Sequence, residues 1–149
     1  MKRTFLLTAF LAILVSIVLG AACGGSGTDT NGSAADTGKT IRSAPAGNGL
    51  TATLSSADGT LKKGKQDFTL TFTDASGKPV DVGSVALNYR MAAMGSMAEM
   101  NNGATFRTTG TPGVYRGNVD IEMAGEWQAQ ITYEGPAGKG SFSFPVNAK

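Results

Sequence analysis

The sequence predicts an all-β fold, an immunoglobulin-like antiparallel β-sandwich of about seven strands, over residues 49–149. Three observations carry this prediction. Apolar and polar residues alternate with period two, as at Phe68, Leu70 and Phe72 and again at Trp127, Ala129, Ile131 and Tyr133, which is the pattern of a strand with one buried face. Between such runs lie the glycine- and proline-rich stretches DASGKP, GTPG and EGPAGKG, whose residues supply the φ values that sharp reversals need. No long helical periodicity interrupts them, and short strands with regular turn signals fit two packed sheets in a single domain.

Taken in order, strands are expected over 50–56, 67–73, 84–90, 104–108, 114–121, 126–133 and 141–146. Ahead of them, residues 24–48 are nearly all Gly, Ser, Thr, Ala, Asn and Asp, with Ile41 the single large apolar residue. Such a composition buries little and reads as a flexible tether from residue 23 to 48. Within it GSAADTGKT has the look of a phosphate-binding loop, but five residues instead of four separate Gly32 from Gly38 and no apolar strand precedes it.

The first 22 residues read as an export signal. Lys2 and Arg3 precede a predominantly apolar run from Phe5 to Leu19, and the small residues Gly20, Ala21 and Ala22 lead to Cys23. The run is shorter than the ~20 residues a bilayer-spanning helix needs. Cys23 is the only cysteine, so it has no internal disulfide partner. The stretch LGAAC resembles the lipobox of bacterial lipoproteins, which implies lipid attachment at Cys23, cleavage before it, and anchorage of an extracytoplasmic, periplasm-type protein to a membrane of the cell envelope. Gly20 stands where that motif usually has an aliphatic residue.

Charge and residue content exclude several functions. Removing Lys2 and Arg3 with the signal leaves eleven of the thirteen basic residues against eleven acidic ones, and no basic stripe interleaved with aromatics remains, so nucleic acid is not an expected partner. The chain has no histidine, so neither a Ser-His-Asp arrangement nor a conventional zinc site is available. Asp120, Glu122 and Glu126 gather near one loop, but carboxylates at strand ends ordinarily serve solvation. The protein is not expected to be an enzyme.

The distinctive feature is MAAMGSMAEM, with Met91, Met94, Met97 and Met100 at every third position. A thioether is soft, polarizable and uncharged, and it matches a soft d10 ion such as Cu(I) or Ag(I) without losing a proton. In a 3₁₀ turn such a spacing lines the sulfurs up, and in an α-helix it lets them drift slowly. Three readings stay open: a metal site, a flexible apolar surface that docks an envelope, respiratory or efflux protein, and plain core packing. Strands that run up and down in turn place the 91–100 connection at the same pole as EMAGE, which adds Met123 as a fifth candidate ligand; Trp127 reads either as the largest core residue or as an aromatic face able to cap a cation.

The segments FTLTFTDASGKPV, MAAMGSM, GVYRGNVDI and MAGEW together resemble the YtkA-like or FixH-like family of small exported β-sandwich domains. That resemblance implies a copper-handling role with Met91, Met94, Met97, Met100 and Met123 as ligands, and a copper-handling or oxidase-assembly partner. Related loops often include histidine, which is missing here, so the resemblance points to a soft ion and not to Cu(II).

Overall fold

The computed structural model describes residues 38–149, and Cys23, the signal sequence and the tether up to residue 37 lie outside the described residues. Nine strands follow one another: β1 (Lys39–Gly47), β2 (Leu50–Ser56), β3 (Gly64–Thr73), β4 (Ser84–Met91), β5 (Met100–Gly103), β6 (Thr105–Thr108), β7 (Val114–Ile121), β8 (Gly125–Gly135) and β9 (Gly138–Ala148). They form two antiparallel sheets, a five-stranded one in the order β1-β2-β3-β7-β6 and a four-stranded one in the order β5-β4-β8-β9. The β-sandwich expected from the sequence is present, with nine strands in place of seven.

Both additional strands have physical reasons for being inconspicuous. β1 lies at a sheet edge and carries Pro45, and an edge strand needs only one apolar face and one hydrogen-bonded side. Ala46 is buried, while Ile41 and Ala44 pack partly against the core. Residues 39–47, expected to belong to the tether, are ordered as β1, because even a Ser/Ala/Gly-rich segment orders when a long neighbour, β2, satisfies its backbone. β5 is four residues long, MNNG, and pairs only with β4.

The core is built by parity. Odd-numbered residues of β4, β7 and β8 face inward (Leu87, Tyr89 and Met91; Val119 and Ile121; Trp127, Ala129, Ile131 and Tyr133), as do the even-numbered residues of β2 and β3. Phe72 meets Tyr115, Tyr133 and Phe142 edge-on at centroid distances of 6.0, 5.3 and 6.3 Å, and Phe68 meets Tyr89 and Phe106 at 6.3 and 5.5 Å. Such edge contacts add roughly 0.5–1.5 kcal/mol each beyond burial. Opposite Phe68, position 117 has to be glycine, since a Cβ there would stand 2.2 Å from the phenyl ring.

Four side-chain hydrogen bonds lock connections onto this core. The Tyr115 hydroxyl accepts from the Val82 amide at 3.1 Å and donates to Asp81 at 2.9 Å, which fixes the long β3–β4 crossover. The Tyr133 hydroxyl donates to the Ala46 carbonyl at 3.1 Å and fastens the end of β1 to β8. Asn48, at φ 52, sits in the left-handed region asparagine tolerates and donates to the same hydroxyl at 3.1 Å.

Tyr89 is the exception among the tyrosines, because its buried hydroxyl has no hydrogen-bond partner among the described residues and burial pushes its pKa well above the usual phenol range. An unmatched buried hydroxyl costs about 1–3 kcal/mol. Tyr89→Phe is accordingly expected to leave stability unchanged or to raise it in urea denaturation. A loss above about 1 kcal/mol would show that the hydroxyl is satisfied in solution.

Candidate metal centre

The four clustered methionines lie neither in a 3₁₀ turn nor in an α-helix, but in a β-hairpin that projects from the edge of the four-stranded sheet. Met91 pairs with Met100 in the β4–β5 ladder, and Met94 pairs with Met97 beyond its end on the same register. Met94 and Met97 exchange both backbone hydrogen bonds, at 3.1 and 2.9 Å, so Gly95 and Ser96 form a two-residue turn. Gly95 has φ 58, which suits the first central position of a type II′ turn, where glycine is favoured.

A spacing of three in a strand is an odd step, and side chains alternate faces at every step. The hairpin therefore divides its methionines by pairs. Met91 is core, 2% exposed, and its partner Met100 is half-buried beside it. Met94 and Met97, at 56% and 41%, are the exposed large hydrophobic side chains among the described residues. The sequence reading left neighbouring sulfurs on one side; here residues 92–99 are all exposed past the end of the β4–β5 ladder, so the methionines separate two and two. The Met91 sulfur is therefore buried and not accessible to an ion in solvent.

The connection between β7 and β8 does stand beside the hairpin base. A Cβ on Gly125 would lie 3.1 Å from the Met91 methyl carbon, and Met123 is two residues away, half-buried against the core. Trp127 is 1% exposed, so its ring faces the core and is not presented as a cap for a cation in solvent. Its indole N–H donates to the Met123 carbonyl at 3.0 Å, which ties the Met123 backbone to the largest core residue. Trp127 thus acts on this pole as a fastening and not as a lid.

The residues flanking the turn supply a clamp that the sequence reading passed over. Arg90, the last outward-facing residue of β4, forms an ion pair with Glu99 at 2.5 Å, and the Asn101 amide donates to the other Glu99 oxygen at 3.0 Å. Arg90 faces Asn101 directly across the ladder. The signal was available once Gly-Ser is read as the turn, because Arg90 and Glu99 then fall near one another on opposite arms.

As a donor set, two neutral thioethers directly opposite one another suit a soft monovalent ion. No group of three or more His, Cys, Asp or Glu side chains able to hold a metal occurs among the described residues.

These features define a small β-sandwich domain with a methionine hairpin on a sheet edge. The family model described as YtkA-like matches residues 46–132, more than half of the chain, and the chain belongs to the YtkA-like family. Comparison with curated proteins finds no match.

Arg90 first and Asn101 second hold the Glu99 carboxyl at about 2, below its ordinary 4.5. A depressed acid pKa means that the clamp is fully present above pH 4.5 and is lost as pH falls through about 2. An NMR titration of Glu99 should give a midpoint near 2, and Arg90→Gln should move it up toward 4.5. A parent midpoint at the ordinary value would show that the clamp does not form in solution.

Proposed function

We propose that this protein is a lipid-anchored, extracytoplasmic binding protein that takes up Cu(I), with Ag(I) as its chemical surrogate, through the Met94 and Met97 sulfurs. The observation that carries the proposal is their pairing at the hairpin tip: two soft donors are the exposed large apolar side chains among the described residues. Membership of the YtkA-like family is consistent with an extracytoplasmic domain. Copper is cargo here. The chain's own part is to hold the two sulfurs opposite each other on a fixed turn, with the half-buried Met100 and Met123 at the base as reserve donors.

Exposure of the same two side chains also favours a second reading, in which the tip docks an envelope protein without metal, since methionine adapts to varied surfaces. A Cu(I) titration under reducing conditions separates the two. Replacing Met94 and Met97 together by Leu keeps the apolar surface and removes the sulfurs, so binding of Cu(I) should be lost while stability changes by less than about 1.5 kcal/mol. Equal affinity of parent and double variant would overturn the metal reading and leave docking.

Anchorage rests on Cys23. Cys23→Ser should release the protein from membranes or trap its precursor, with mass spectrometry of the parent showing acyl chains on residue 23. A mature chain that begins elsewhere and carries no lipid would overturn the anchor.

A further inference from the structure

The outer face of the five-stranded sheet bears a cleft of about 530 Å³ whose chemistry differs from that of the hairpin. One cross-strand row runs through all five strands in order, Thr40, Ser55, Thr69, Arg116 and Arg107. Arg107 and Arg116 are therefore direct antiparallel partners. They share the outer face because their neighbours Phe106 and Tyr115 turn inward to the core, 6.5 Å apart at their ring centroids.

Like charges placed directly opposite in a sheet are destabilising, and Arg107 and Arg116 form no ion pair among the described residues. The ion pairs among those residues join Lys62 to Asp58, Arg90 to Glu99 and Lys139 to Glu134. Asp67, the carboxylate in the cleft, is engaged by the Asn118 amide at 2.7 Å. Thr69 also lines the cleft and is buried at 9% exposure, an unusual place for a hydroxyl on the outside of a sheet. Thr105, in the next row of the outer face with Asp67 and Asn118, donates to the Asn118 carbonyl at 3.4 Å.

We propose that this cleft binds a phosphate-type oxyanion, held between the Arg107 and Arg116 guanidiniums with the Thr69 hydroxyl as a further donor. Two guanidiniums neutralise a dianion and present planar forks that match its oxygens, and such charge-assisted bonds are roughly twice as strong as neutral ones. A bound anion would bridge the two directly opposed arginines and offset the repulsion of like charges in that register. The same chemistry is offered by free inorganic phosphate and by a phosphomonoester lipid headgroup.

The test is titration of the protein with inorganic phosphate at low ionic strength, followed by NMR and calorimetry. Saturable binding is expected, with shifts centred on Thr69, Arg107 and Arg116, and with affinity at least tenfold weaker in the Arg107→Gln/Arg116→Gln variant. Because that variant removes like-charge repulsion between exposed side chains, its melting temperature should not fall; Arg107→Gln alone, on the edge strand, serves as a second variant with the same readout. In parallel, flotation with phosphatidic acid vesicles is compared with phosphatidylcholine vesicles. Phosphate binding without vesicle binding assigns the cleft to a soluble phosphate, and arginine-dependent binding to phosphatidic acid alone assigns it to a headgroup. Absence of both, equal affinity in parent and variants, or shifts spread evenly over all basic residues would overturn the proposal.

Discussion

Burial of one face of each sheet against the other forces every strand to divide its side chains by parity. In β8 the odd positions, from Trp127 to Tyr133, go to the core, and the even ones go to solvent. The same rule reaches beyond the core. It directs Phe106 inward and Arg107 outward, and it directs Met91 at the end of β4 inward. A shift of register by one residue would exchange all of these together, which is why a strand with one apolar face is so strongly fixed in place. Both proposed sites are thus by-products of packing the same interior, on surfaces that the interior leaves over.

Rigid support at the hairpin comes from a few identifiable contacts. Its inner pair, Met91 and Met100, packs on the core, and its outer flank is clamped by Arg90 and Glu99. Glycine at position 125 lets the Met91 methyl approach the backbone of the neighbouring connection, and Trp127 fastens that connection through the Met123 carbonyl. A tip held from both sides needs little reordering when a ligand arrives, and reduced ordering cost is a recurrent source of affinity. Methionine suits the tip because it is flexible enough to adjust its sulfur while the backbone stays fixed.

Much of the fold was legible because the long strands keep a clean alternation. The segment 114–121 coincides with β7, and 50–56 with β2. β1 was hidden by its composition: Lys39–Gly47 holds one large apolar residue, and its order derives from hydrogen bonds to β2 that no single-sequence pattern reveals. For the methionines, the spacing of three was visible but its geometry depends on backbone conformation. A helical period makes such residues neighbours, whereas a pleat sends them to opposite faces. The deciding signal was Gly95-Ser96, a turn pair centred in a palindromic array of methionines, which a hairpin explains and a helix does not. Arg107 and Arg116 lie nine residues apart in sequence, and only the β6–β7 pairing brings them face to face.

The two proposed sites are linked by covalent structure yet differ in what they select. β5, which begins at Met100, passes into β6, which carries Arg107, through the single residue Ala104, whose amide is fixed to the Leu87 carbonyl at 2.9 Å. One continuous stretch of chain therefore leaves the four-stranded sheet and joins the five-stranded one, supporting a soft-donor pair at one end and a guanidinium pair at the other. Energetic coupling between sites requires an element with two alternative arrangements. This strand is held by a sheet on each side and by a backbone bond at its crossing, which makes it a common scaffold and not a switch. Selectivity then divides by chemistry: polarizable sulfurs discriminate among cations by softness, and fixed guanidinium forks discriminate among anions by charge and oxygen geometry.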